Sequence, residues 1–128
     1  MKETIIDPKN GIYSTTHDYV HALEVQGASR QVYLSGTMGL DSFGVAPDTV
    51  DEQLELIWKN IQHILASAHM TARNIIRVTS YLTKAEFAAK NQEARLRALG
   101  DRRVPTTAIV VSTLDPNWLV EIEIIADA

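Results

Sequence analysis

The segment "LVEIEIIADA", from Leu119 to Ala128, sets two carboxylates into an otherwise apolar run. Extended side chains alternate between faces, so Glu121, Glu123 and Ile125 share one side while Val120, Ile122 and Ile124 share the other. Two acids on one face fit either a surface that meets water or a cleft in which a carboxylate holds a water and moves its proton. There is no cysteine, which removes disulfides, thiolate metal sites, iron–sulfur clusters and cysteine nucleophiles. His17 and His21 stand four residues apart on extended chain with no third ligand nearby, so they read as surface or hydrogen-bonded histidines and no metal is expected. His63 and His69 lie on or at the end of a helical segment, where His69 suits the helix dipole without any catalytic role.

The framework around those acids is that of one domain. At 128 residues, 45% of them hydrophobic and 22% charged, the chain is able to bury roughly two thirds of its unfolded surface, and a single domain over 1–128 is expected. The net charge is −4 and the basic residues are scattered. That is the wrong footprint for a phosphate backbone, so no nucleic-acid partner is expected. The start "MKETIIDPKNG" has no continuous apolar stretch, and no run of about 18 apolar residues follows, so neither secretion nor a membrane partner is indicated and the cytoplasm is the expected compartment.

Along the chain, "YVHALEV" (Tyr19 to Val25) alternates, "QGAS" reads as a turn and "RQVYLSG" (Arg30 to Gly36) as a second strand, which together predict a hairpin. "GLDSFGVAPD" reads as a loop. Thr49 followed by Glu52 forms a capping-box pattern, and Leu54, Ile57, Ile61, Ile64, Leu65 and Ala68 recur at helical spacing, predicting a helix from about Val50 to His69. "NIIRVTSYLT" (Asn74 to Thr83) is β-branched and aromatic and reads as a strand. "KAEFAAKNQEARLRALG" reads as a second helix closed by Gly100. "TTAIVVSTL" and "LVEIEIIA" follow as strands on either side of "DPNW", and "ETII" at the start is a further candidate.

The order β-β-α-β-α-β-β predicts an α+β fold, a single mixed β-sheet with two helices on one face. Strands such as "AIVV" and "IEIIA" are apolar on both sides, and two helices cover only one face of a sheet. A second copy of the chain is the simplest cover for the other, so a homo-oligomer with clefts between subunits is expected.

In order and spacing, "YVHALEV" before "VYLSG", "TVDEQ" in the first helix, "IIRVTSYLT" followed by "FAAKN", "VPTTAIVV" and "VEIEIIA" together resemble the reactive intermediate deaminase family, RidA/YjgF, also called L-PSP endoribonucleases or translation inhibitors. The resemblance runs over essentially the whole chain. It implies a chorismate-mutase-like fold, a homotrimer, a small-molecule ligand in each intersubunit cleft, and hydrolysis of an enamine or imine to a 2-keto acid and ammonia with no cofactor. Carried over position by position, it implies that Glu123 is the cleft acid that holds or activates the water and that Tyr19 hydrogen-bonds substrate or water. It further implies that Ser35 and Gly36 form a wall of the site and that Asn91 holds its shape.

One position departs. Active deaminases resemble "PARS" where this chain has "PTTA", so Thr107 stands where an arginine would fork onto the substrate carboxylate. Charge-assisted bonds of that kind contribute about 1.5 to 3 kcal/mol, and threonine offers no such charge. Four residues of extended chain span about 13 Å, so Arg103 is not expected to reach position 107, though it or Arg102 is a candidate for the cleft mouth. Weak or no turnover of imines of simple 2-amino acids follows. Two classes remain open: a RidA-like imine or enamine hydrolase with a non-standard substrate, and a small-ligand binding or regulatory trimer without deaminase activity. An endoribonuclease is the weaker third.

Overall fold

In the computed structural model, which describes residues 1–128, the chain forms β1 (Lys2–Ile6), β2 (Ala22–Gln26), β3 (Gln31–Tyr33), β4 (Thr37–Met38), α1 (Val50–Ser67), β5 (Ile75–Leu82), α2 (Ala88–Leu99), β6 (Thr106–Val110) and β7 (Val120–Asp127). The main sheet is mixed and five-stranded, in the order β3-β7-β5-β6, with β4 also on β7. β7 runs antiparallel to β3, β4 and β5, and β5 runs parallel to β6 across the crossover that carries α2.

Alternation on β5 and β7 decides where the core sits. Val78 and Leu82 of β5 and Val120, Ile122 and Ile124 of β7 point to one face, where Leu54, Ile57, Ile61 and Leu65 of α1 and Ala94 and Leu99 of α2 cover them. Ile57, Ile61, Leu65, Val78 and Ile122 have no exposed surface at all, and each such aliphatic contributes about 1.5–3 kcal/mol by leaving water. Both helices thus lie on one face, as the α+β reading expects. No helix is long and apolar enough to cross a membrane.

The ends of α1 show how local chemistry sets its bounds. The Thr49 hydroxyl oxygen accepts from the Glu52 N–H at 3.2 Å and its proton goes to Glu52 Oε1 at 2.7 Å, while Asp51 and Glu52 place negative charge in the first turn. The helix stops at Ser67, two residues before the expected end, because His69 adopts φ 57°, a left-handed conformation that helical backbone cannot continue. Its last carbonyls are met by Arg30, whose guanidinium donates to Ala68 O at 2.7 Å and His69 O at 3.4 Å. Arg30 therefore brings a guanidinium to this terminus beside His69. The second helical segment opens with a 3-10 turn over Ala85–Phe87 before α2 proper, and Gly100 closes it at φ 64° as expected.

The hairpin of "YVHALEV" with "RQVYLSG" does not form. β2 instead pairs antiparallel with β1, Lys2 opposite Gln26 through Ile6 opposite Ala22, in a two-stranded ladder beside the main sheet, and β3 pairs with β7. The chain turns at Gly27 (φ 74°), but the Ser29 and Arg30 amides then bond to Ala128 O at 2.9 and 3.2 Å. This carries β3 onto the free edge of β7, where it gains a ladder and an apolar contact through Val32 that β2 does not offer. Tyr19 to His21 lie before β2 rather than in it.

Candidate functional site

The face of the main sheet that carries no helix presents Arg77, Thr79 and Tyr81 from β5, Thr107 and Ile109 from β6, and Glu121, Glu123 and Ile125 from β7. Registers across three strands set these side chains in rows. Thr107 lies opposite Thr79, and Thr79 opposite Glu123; Ile109 lies opposite Tyr81, and Tyr81 opposite Glu121. Glu123 is exposed and Glu121 half-buried. The sequence's choice between a solvated face and a cleft wall is thus realised as a polar sheet face open to solvent in the single chain.

Glu123 is not free on that face. The Tyr81 hydroxyl donates to Glu123 Oε1 at 2.8 Å, a diagonal reach of the kind long aromatic side chains make between neighbouring strands. That bond first, then burial and the charges of Glu123 and Glu121, pushes the phenol above its ordinary value of 10, while Arg77 works the other way. At neutral pH the phenol therefore keeps its proton and fixes one carboxylate oxygen, leaving Oε2 for another partner. Tyr81, Glu121 and Glu123 line a cavity of about 290 Å³ with Gly36 and the segment from Val111 to Leu114. The backbone at Gly36 lies directly on Glu121, so that a Cβ there would fall on the Glu121 carboxylate.

The other positions fall elsewhere. Ser35 is exposed, does not reach the Glu123 cavity, and lines a separate depression that also includes Gly36. Tyr19 and Asn91 share a pocket of about 220 Å³ with Asp18, Arg95, Thr106 and Ala108. Asn91 is 3% exposed and its side-chain oxygen has no partner. Tyr19 is positioned by its neighbour: buried Arg95 of α2 donates to the Asp18 carbonyl and to Asp18 Oδ2, both at 2.8 Å, and the Asp18 carboxylate also accepts from Thr16. Thr107 is half-buried and its Oγ1 accepts from Arg77 Nη2 at 2.8 Å. In one chain the predicted residues therefore fall into two groups, Glu123 and Gly36 at one cavity and Tyr19 and Asn91 at another.

Neither arginine of the "DRRVP" turn approaches the acid face. Arg102 forks onto Glu3 at 2.8 and 2.9 Å and donates to Ile75 O, and Arg103 donates to the carbonyls of His17, Gly100 and Arg102. Within the single chain their donors hold the turn and β1 to the body, with Arg103 on His17, two residues before Tyr19. His21 Nε2 lies 2.8 Å from Tyr13 O, which makes it a hydrogen-bonded histidine. Two residues of the acid face escaped sequence reading, Tyr81 and Arg77, since an aromatic and a long cation on a strand look like ordinary strand composition. The signal was the alternation itself, which puts both on the same face as Thr79.

The family model described as endoribonuclease L-PSP matches residues 11–128. A Lactococcus lactis protein whose name proposes a regulator, AldR, is 33% identical over 113 residues, 85% of this chain and 86% of its own length. A RutC family protein from Aquifex aeolicus is 32% identical over 111 residues, 84% of this chain and 86% of its own. Among solved structures, the Yersinia pestis Rid family protein YyfB superposes with a TM-score of 0.86 over the full length of both chains at 20% identity, a likeness of fold. A Thermotoga maritima protein described as an endoribonuclease has a TM-score of 0.72 at 26% identity, covering 100% of this chain and 98% of its own. The mixed sheet with two helices on one face, and a match that runs from Gly11 to Ala128, make this chain a member of the RidA/YjgF family, the L-PSP family of the matching model.

Proposed function

We propose that this protein is a cofactor-independent hydrolase of imines, and of enamines through their imine tautomers, whose substrate differs from the imines of simple 2-amino acids. The observation that carries the reading is Glu123, held by Tyr81 on one oxygen and open on the other, on a sheet face with a cavity beside it. In the reaction, Glu123 takes a proton from a water as that water's oxygen bonds to the imine carbon. That proton passes to nitrogen to give a carbinolamine; the carbinolamine hydroxyl then gives its own proton through Glu123 to nitrogen, the C–N bond breaks, and ammonia leaves as the carbonyl forms. The water oxygen ends in the carbonyl, and no electrons are gained or lost.

The division of the predicted site into two half-sites supports assembly. A second copy laid over the open face would close the Glu123 cavity and bring the half-site of Tyr19 and Asn91 from one chain to the Glu123 and Gly36 half-site of another. The trimer with interface clefts is the arrangement we propose, and the cytoplasm the compartment. Within it, Glu123 acts on the water, Tyr19 hydrogen-bonds the ligand, Gly36 forms a wall with Ser35 beside it on the adjoining depression, and Asn91 keeps the pocket in shape.

A binding or regulatory role is the second reading, favoured by Thr107 in place of a charged anchor and by the regulator name of the Lactococcus relative. The net charge of −4 weighs against RNA as a substrate. A panel of imines generated in solution, with ammonia release as the readout, separates the readings. Turnover of at least one member supports the hydrolase; no turnover, with small acids raising the melting temperature, supports the binding protein.

A further inference from the structure

The half-buried Arg77 has no acid to answer it. Among the arginines that are not fully exposed, Arg95 pairs with Asp18, Arg102 with Glu3, and Arg103 directs its donors to backbone carbonyls. Arg77 makes one hydrogen bond, from Nη2 to Thr107 Oγ1 at 2.8 Å, and no carboxylate lies within salt-bridge distance of it. A guanidinium has five N–H donors arranged as two forks that share Nη2. Whichever Nη2 proton Thr107 takes, one complete fork stays open. The contact also orients Thr107, whose oxygen accepts from Arg77 and whose own proton is free to donate.

We propose that Arg77 is the anion-binding residue of this face, its open fork taking a carboxylate of the ligand over Thr107, in the row that runs across β5 to Glu123. Two strand spacings of about 4.8 Å separate Thr107 from Glu123 in that row, so cation and acid occupy opposite ends of one small polar face. Because the guanidinium is tied to Thr107, two strands from Glu123, a ligand that reaches both must place its carboxylate some distance from the carbon that the water attacks. This favours oxo acids and imines whose charged group extends beyond the reacting carbon. The inference rests on the reading of the Glu123 face as the ligand face, and it names the charge that the ligand carries.

The test is binding, apart from turnover. Titrate the full-length protein by calorimetry with 4-oxopentanoate, with its methyl ester and with 2-oxobutanoate. The wild type is expected to bind 4-oxopentanoate better than 2-oxobutanoate, and much better than the ester. Arg77→Gln is expected to weaken the acid by about tenfold to a hundredfold while leaving the ester unchanged, with Arg77→Lys between them because it keeps the charge and loses the fork. Sizing chromatography of each variant accompanies the titration. Absence of saturable binding of either acid by the wild type, unchanged affinity in Arg77→Gln, or loss of assembly in that variant would overturn the proposal, the last because it would make Arg77 an interface cation. If Arg77→Gln weakens the acid while no imine is hydrolysed, the hydrolase reading fails and the anion site stands. If imines are hydrolysed and Arg77→Gln changes neither Kd nor KM, the anion site fails and the hydrolase stands.

Discussion

Removing the Arg95 guanidinium should cost this fold more than any exposed ion pair would. Arg95 and Asp18 are 5% and 11% exposed at their side chains and make two bonds of 2.8 Å, one charged and one to the Asp18 carbonyl. Burial opposes the charged carboxylate, yet the bonds from Thr16 and Arg95 outweigh it and leave Asp18 below its ordinary value of 3.8. Arg95→Met keeps most of the volume and strands that carboxylate. Leaving one partner of a buried pair costs about 3–5 kcal/mol, and the residual water contact of Asp18 puts the expectation near the lower end, about 3 kcal/mol. That is a large share of a typical stability of about 5–15 kcal/mol. The assay is urea unfolding at fixed protein concentration and pH 7 for Arg95→Met, Asp18→Asn and the double variant. The double variant should cost less than the sum of the singles, because removing the carboxylate relieves its isolation. The pH dependence has a definite sign: a folded carboxyl below its unfolded value contributes stability that is fully present above about pH 4 and is lost as the pH falls through the folded value. Arg95→Met should lose that acid-side slope. A cost under about 1 kcal/mol, or additive single effects, would refute the view that this pair fixes the segment carrying Tyr19.

The phenol held by Glu123 should be visible among the four tyrosines as one that ionises later than the rest in an ultraviolet titration. Glu123→Gln should return it toward 10, and its contribution to stability, present below about pH 10, should fade as the pH rises through the folded value; four tyrosines titrating together would contradict this. The two glycines flanking β4 should respond differently to alanine. At Gly39 a Cβ comes within 2.7 Å of the Gln53 Cα in α1, a backbone clash expected to cost about 1–3 kcal/mol in unfolding experiments. At Gly36 the nearest atoms to the Cβ are the outer end of the movable Glu121 side chain, so stability should hold while the cavity loses an acid from its wall; a larger loss at Gly36 than at Gly39 would contradict the packing described.

Much of the scaffold was legible because its signals are local. Thr49 and Glu52 sit three residues apart and cap α1 as their spacing requires, Gly100 ends α2, and the alternation of β7 puts Glu121 and Glu123 on one face. Pairing was less legible, since nothing in "YVHALEV" or "RQVYLSG" states that β1 and β7 are better partners than they are for each other. That preference depends on Ala128 accepting from Ser29 and Arg30, nearly the whole chain away. The site divides in the same way. Residue types single out Glu121 and Glu123 as a pair and the family resemblance chooses Glu123, but its hydrogen-bond partner Tyr81 is forty-two positions distant in sequence and joins it only through the β5–β7 register. Arg77 was illegible for a related reason: the arginines near Thr107 in chain order stand in the "DRRVP" turn, whereas the guanidinium that reaches Thr107 comes from the neighbouring strand. Buried Arg95 lies on a helix whose pattern alone does not separate a solvated arginine from one aimed inward.

The central claim, that Glu123 on the helix-free face activates a water against a C=N bond, is tested most directly by ammonia release from an imine that the wild type turns over, measured for Glu123→Gln across pH with assembly checked by sizing. The account predicts that Glu123→Gln retains its fold and oligomeric state, binds 4-oxopentanoate through Arg77 with Kd within about threefold of the wild type, since that anchor is intact, and loses turnover by about a hundredfold or more. Turnover and pH profile equal to those of the wild type, in a correctly assembled Glu123→Gln protein, would contradict it.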